Sequence, residues 1–425
     1  MEYNDIKEND IGRMGVLMAL LTIPAIFLFV GIGYEIINGG SVASIFKGFT
    51  AIVLSPTILI TDFIKVGGIA ATFINVALVG FINIYLIHRY RLKINGVILA
   101  AFFTVLGFSF FGKNLYNILP IYFGGYLYTK YQKISFKEVI VVVMFGTALS
   151  PMISEISFSG ILHPIIAIIV AITTGIFIGF VIAPLSSHML KFHDGYNLYN
   201  IGFTSGIIGT LLTSVLRSFG LVVEPVNIIS DENQGIIIIL LLIFFFGLMI
   251  LGLCINRRAF RDYHTILHYR GRLITDFTHL VGYGITFLNM SLLGFLSLFY
   301  VLAIGGKLNG PVLAGVFTVV GFGAFGKHIK NCFPVAIGVI AAALFFGYDI
   351  SAPSIIMSVL FSTTLAPIAG TFGPLIGFLA GVLHMILVTN VGYIHGGINL
   401  YNNGFSGGIV ASVLIPMLDA FKKEN

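Results

Sequence analysis

Charge is what this sequence has least of. Asp, Glu, Lys and Arg make up 9% of 425 residues, against 57% hydrophobic residues and a mean hydropathy of +1.02. A soluble chain of this length could not cover its surface with so few charges, so that class is excluded. Cysteine is scarce as well. Cys254 and Cys332 are distant in sequence, lie in or beside apolar runs, and form no metal-ligand spacing; both read as buried thiols. The motifs of catalysis are missing. There is no His-Glu-x-x-His, no Gly-x-Ser-x-Gly, no phosphate loop ending in Gly-Lys-Ser/Thr and no dinucleotide fingerprint. The acids are too few and scattered for a paired-carboxylate site. These absences predict a protein that is not an enzyme and holds no cofactor or metal. The net charge of +6 does not signal nucleic acid, because the Lys and Arg residues sit in short loops between apolar runs, where they report orientation.

What is present is hydrocarbon. Residues 14–33, 235–255 and 371–390 are long, apolar runs, each able to span a bilayer core of about 30 Å. The chain reads as an all-α polytopic integral membrane protein of the cell membrane, with lipid as its surroundings. No small-residue cleavage pattern follows the first run, so it is expected to be retained as a helix over 14–37, ended by Gly39-Gly40-Ser41. Residues 42–60, interrupted by Lys47 and Pro56, are expected to lie at the interface or re-enter.

From Thr61 the sequence repeats itself. Residues 61–120 align without a gap to 275–334, at a constant offset of 214, with 25 identities in 60 positions. Thr61-Asp62-Phe63 returns as Thr275-Asp276-Phe277, and FTVLGFSFFGK (103–113) returns as FTVVGFGAFGK (317–327). The copies drift by two residues to Pro151/Pro367. They rejoin at His193/His395 once 14 residues are deleted from the second. Two units follow, 1–222 and 235–425, duplicated and fused. Their loop charges are opposed. HRYRLK (88–93) and Lys130, Lys133 and Lys137 face the nearly uncharged AIGGKL (303–308) and FFGYDI (345–350). The strongly basic 256–272 answers a first-half stretch carrying only Lys47. Cytoplasmic loops collect Lys and Arg, so matched loops of opposite bias predict an inverted-topology repeat with five to seven crossings per half. The same rule puts both termini, with Lys422-Lys423, in the cytoplasm and the acidic 224–233 loop outside. Short apolar runs at 138–149 and 354–365 meet GTALSP and STTLAP. They predict broken half-helices, or else proline-kinked helices that continue.

The most unusual stretch occurs twice, as HDGYNLYNIGFTSG (193–206) and HGGINLYNNGFSGG (395–408). Four hydrogen-bonding side chains and several glycines suit hydrocarbon badly. At membrane depth such a segment survives only inside protein or beside a wet cavity. Asn197, Tyr199, Asn200, Asn399, Tyr401 and Asn402 are therefore candidates to line a path for a small polar solute, with Gly195 and Gly397 turning the backbone. Asn197 and Asn399 are expected to meet across the repeat axis. Loop capping is the plainer alternative. His193 and His395 are candidates to titrate or donate, or to serve structurally. Asp62 and Asp276 fit helix caps, with ion coupling to Na⁺ or H⁺ as the alternative. Lys113 and Lys327 are expected to snorkel to the interface, with an electropositive mouth on each side as the alternative. The FTVxGFxxFGK runs read as helix packing, in part as a hydrophobic constriction.

In these features the chain resembles a bacterial family of multi-pass membrane proteins that carries only an unknown-function label. It also resembles urea transporters. Gly195-Tyr196-Asn197 and Gly397-Ile398-Asn399 are similar to that family's helix-opening Gly-Asn segment, and the proline-marked short helices are similar to its pore half-helices. Its Leu-Pro-x-x-Thr-x-Pro-Phe motif is absent. The resemblance implies a channel-like architecture of two inverted halves. The expectation is a channel or transporter for a small polar solute, with an ion-coupled carrier as alternative and a membrane-embedded enzyme or signalling scaffold as the other class. Homo-oligomerisation is compatible with all of these.

Overall fold

The computed structural model describes residues 12–421 except 59, 161, 221, 222, 224 and 225. The tail 1–11, Lys422-Lys423 and part of the acidic loop, used above for orientation, lie outside the described residues. Described residues form helices and a few isolated bridges, with no strand. The first half holds α1 (Arg13–Ile37), α2 (Val42–Leu54), α3 (Phe63–Arg89), α4 (Gly96–Gly107), α5 (Leu115–Gln132), α6 (Ile140–Gly146), α7 (Ser150–Phe158), α8 (Pro164–His193) and α9 (Asn200–Ser218). The second holds α10 (Gln234–Ile255), α11 (Ala259–Asp262), α12 (Phe277–Leu280), α13 (Gly282–Ala303), α14 (Gly310–Phe322), α15 (Ile329–Phe345), α16 (Pro353–Ser362), α17 (Ala366–Phe372), α18 (Pro374–Val391) and α19 (Asn402–Ala420). Among the described residues ten spans are long and apolar enough to cross a membrane, counting α6–α7 and α16–α17 as one each; five precede residue 219 and five follow 233.

The sequence repeat is a repeat of structure, down to single hydrogen bonds. Asn95 and Asn309 cap α4 and α14 through the amides of Ile98 and Val312, both at 3.1 Å. Gly68 and Gly282, both with positive φ, bend the chain at matched places near the start of α3 and α13, a conformation other residues adopt only under strain. Of the two readings for 138–149 and 354–365, half-helix or kinked helix that continues, the structure has the kinked span in both places. α6 runs into α7 through a tight turn at Thr147–Leu149, and α16 into α17 through Thr363–Leu365. Pro151 and Pro367 sit in the first turn of the second segment, where a missing N–H is harmless.

Two matched helices, α4 and α14, have only 12 and 13 residues. At about 1.5 Å per residue neither can cross a bilayer core alone. Both are apolar all round and buried along almost every position, as a helix enclosed by protein must be. They lie against each other. A Cβ on Gly107 would meet that of Phe317 at 2.8 Å, and one on Gly321 would meet Phe103 at 2.7 Å. The contact is thus reciprocal, position for position, as two-fold-related surfaces require.

Candidate functional site

The paired loops join the halves. α8 ends in a left-handed turn at Asp194 and Gly195, and α18 is followed by left-handed Gly396 and Gly397. His193 Nε2 meets Asn200 Oδ1 at 3.0 Å, and Asn200 Nδ2 donates to the Ser186 carbonyl at 3.1 Å. His395 and Asn402 repeat this at 2.8 Å, with Asn402 donating to the Val388 carbonyl at 3.3 Å. Both histidines are fully buried and tie each loop to the helix before it. Beyond that tie, each loop reaches into the other half. The Leu198 amide donates to the Thr364 carbonyl and the Leu400 amide to the Ala148 carbonyl, both at 3.0 Å. Ala148 and Thr364 lie in the turns that break α6–α7 and α16–α17, so the opposite loop satisfies carbonyls that the kink frees.

Asn197 and Asn399 are fully buried in this joint. Asn197 Nδ2 donates to the Gly404 carbonyl at 3.0 Å, while its Oδ1 accepts from the Tyr199 amide at 3.2 Å and from Thr364 Oγ1 at 2.5 Å. Asn399 Nδ2 donates to the Gly202 carbonyl at 3.3 Å and its Oδ1 accepts from the Tyr401 amide at 3.0 Å. Each therefore clamps the opening turn of the opposite α19 or α9. Those helices cross closely, since a Cβ on Gly202 would lie 3.0 Å from the Gly404 Cα.

Between this crossing and the α4–α14 pair lies a cavity of about 270 Å³. Most of its wall is built in matched pairs: Thr104 with Thr318, Phe108 with Phe322, Phe145 with Phe361, Leu198 with Leu400, Tyr199 with Tyr401, Gly202 with Gly404. Of the residues singled out from sequence, Tyr199, Asn200 and Tyr401 stand on the wall. Asn197, Asn399, Asn402, His193, His395, Gly195 and Gly397 do not; they form the framework behind it. From the FTVxGFxxFGK runs, Phe108, Phe322 and Phe325 reach the wall.

Two lysines complete the site, and here the structure departs most from expectation. Lys113 and Lys327 do not snorkel: both are 0% exposed. Left-handed Gly112 and Gly326 turn the chain after α4 and α14. Asn75 Nδ2 pins one turn through the carbonyls of Ser109 (2.8 Å) and Lys113 (2.9 Å), and Asn289 pins the other through Gly323 (2.7 Å) and Lys327 (2.8 Å). The side chains are thereby held inside. Lys113 Nζ donates to the Tyr401 hydroxyl at 2.6 Å, and Lys327 Nζ to the Tyr199 hydroxyl and to Thr363 Oγ1, the latter at 2.7 Å. Each also sits over its tyrosine ring, 4.6 and 4.5 Å from the centroid. Among the described residues the ion pairs are Lys65–Glu232 and Arg272–Asp194, so neither lysine has a carboxylate. The available signal was a lysine kept at the same place in both copies of an apolar run.

Asp62 and Asp276 lie away from the cavity wall and cap helices in both halves at once. Asp62 Oδ1 accepts from the Ile64 amide and Oδ2 from the Ser230 amide, both at 3.0 Å. Asp276 Oδ1 accepts from the Thr278 amide and, across the halves, from the Gly96 amide at the start of α4, again at 3.0 Å. Burial pushes the Asp62 carboxyl up to about 6, with the amides of Ser230, Ile64 and Gly310 pulling the other way. Cys332 is buried as expected, whereas Cys254 is exposed on α10.

No curated protein matches the chain, and no solved structure does. A family model described as a protein of unknown function, DUF1576, matches residues 17–218 and 255–420, most of the chain. The chain belongs to that family.

Proposed function

We propose that this protein moves a small solute across the cell membrane, along a path through the cavity between its two halves. The observation that carries the reading is the cavity wall of matched pairs, one member from each half. Solute sites of secondary transporters form at such repeat junctions, near broken helices. The pair of short helices α4 and α14, which end beside the cavity, supports the same reading, as does the opposed charge of loops 88–93 and 303–308. On this reading the two-fold relation is an inversion, its axis lies in the membrane plane, both termini are cytoplasmic, and the protein is not an enzyme. Ion coupling through Asp62 and Asp276 has less support, because their oxygens are engaged by backbone amides.

Accessibility tests this without knowledge of the solute. Thr104→Cys and Thr318→Cys, in a chain with Cys254 and Cys332 replaced, are exposed to a membrane-impermeant methanethiosulfonate from each face of oriented vesicles. A transport path predicts labelling of the cavity from both faces. Labelling from neither, or from one face only, would refute it.

A further inference from the structure

From the wall of the cavity we infer the class of solute: a small monocarboxylate with an apolar body, its carboxylate held by the Tyr401–Lys113 and Tyr199–Lys327 pairs. This rests on the transport reading for the path and on the geometry below for the ligand.

The two tyrosine hydroxyls among the wall residues are each backed by a lysine. The Tyr401 hydroxyl accepts from Lys113 Nζ at 2.6 Å, so its own proton is left to point elsewhere. A hydroxyl polarised by an amine or ammonium behind it is a stronger donor than one in isolation. Tyr199 stands in the same relation to Lys327. No carboxylate lies within ion-pair distance of either lysine among the described residues. A buried lysine without a counter-ion is driven toward its neutral amine, and an anion in the cavity favours its protonated form. A cationic solute would find no acid on the wall.

Independent of the lysines, Thr104 and Thr318 are matched wall residues whose hydroxyl oxygens are buried with no hydrogen-bond partner. Buried hydroxyls are rarely left so, and both belong to residues that border one cavity. The rest of the wall limits the body of that ligand. Phe108, Phe322 and their aromatic neighbours cannot replace the hydration shell of a free inorganic dianion, but they accept an aliphatic or aromatic group. A volume of about 270 Å³ lies just below the usual range of ligand pockets, so the solute is small. Because each tyrosine–lysine pair joins one residue from each half and the two pairs are matched by the repeat, the carboxylate has two equivalent stations, and successive weak stations permit passage.

Three probes of one shape decide the matter: benzoate, benzamide and benzylammonium, titrated calorimetrically into the full chain in lipid nanodiscs. Benzoate should bind saturably, benzamide about ten- to a hundred-fold more weakly, and benzylammonium not at all. Lys113→Met and Lys327→Met keep an unbranched apolar stem of similar length. Each should weaken benzoate and leave benzamide unchanged. Benzamide matching benzoate, benzylammonium binding more tightly, or no saturation by any of the three overturns the inference on the unaltered protein, whatever the variants do. Flux in proteoliposomes separates the two readings. Saturable benzoate binding without flux sinks transport and leaves the anion site, whereas equal flux of benzoate and benzamide sinks the anion site and leaves transport.

Discussion

Replacing Asp276 by Ala and by Asn separates a structural acid from a coupling acid. The carboxylate caps α12 through the Thr278 amide and, from the other half, holds the Gly96 amide with both oxygens, at 3.0 and 3.1 Å. Asp276→Ala removes an N-cap worth about 0.5–2 kcal/mol. It also orphans the Gly96 N–H, a further cost of about 1–3 kcal/mol, so the sum is roughly 2–5 kcal/mol. Asp276→Asn keeps one carbonyl oxygen where Oδ1 now accepts from both amides. What it loses is the charge facing two helix starts, about 0.3–1 kcal/mol each. The expected order of stability is wild type, then Asn, then Ala, with the Ala variant clearly separated. Far-UV circular dichroism during a mixed-micelle SDS titration reads this directly in a protein so rich in helix. An Asn variant as unstable as Ala would show that the amide contacts are not what matters. An Asn variant of near-wild-type stability that had lost gradient-driven uptake would make Asp276 a coupling residue and refute the capping argument.

Asn197→Ala and Asn399→Ala should each cost about 1–3 kcal/mol, since each leaves buried partners on the opposite helix unpaired; methanethiosulfonate labelling of Thr318→Cys should be unchanged, and a change would put the asparagines on the path. For Asp62 the folded carboxyl titrates near 6, above its ordinary value of 3.8. A raised carboxyl stabilises the fold at low pH and loses that contribution as pH climbs through about 6. Wild type should therefore lose about 2–3 kcal/mol relative to Asp62→Asn between pH 4 and 7, and parallel pH profiles would contradict this. Reporter cysteines in 88–93 and 303–308 should label from opposite faces, and labelling from one face would sink the inversion.

Much of this architecture was legible in the sequence because duplication doubles every signal. The 61–120 match located the caps at Asp62, Asn95, Asp276 and Asn309, where local chemistry alone dictates the structure. Tyr199, Asn200 and Tyr401 were legible as wall residues for the reason given at the outset, that polar groups at depth need company. The roles of Asn197 and Asn399 were not. An amide that lines a cavity and one that clamps a neighbouring helix have the same residue type and the same spacing, and only the partner at Gly404 or Gly202 tells them apart. The kinks at 147–149 and 363–365 were ambiguous for a related reason. Whether a proline ends a helix or restarts one depends on what takes up the carbonyls before it, and here the Leu198 and Leu400 amides arrive from 166 and 252 residues away.

The lysines were hidden by a rule that holds for an isolated helix. A lysine near the end of an apolar run snorkels when its stem can reach water, but Lys113 and Lys327 follow glycines that turn the backbone inward. The asparagines of α3 and α13 then hold that turn closed. The same features explain why a cavity persists at the junction. Each half carries free carbonyls at its kink and free amides at the start of its short helix, and in lipid each would cost several kcal/mol unpaired. The opposite half satisfies them, which favours association irrespective of how well the apolar surfaces fit. Tyr199 and Tyr401 are then drawn sideways onto lysines of the opposite half, not onto each other. The two loops therefore grip the facing half while leaving the space between their tyrosines unfilled, and that space is the cavity.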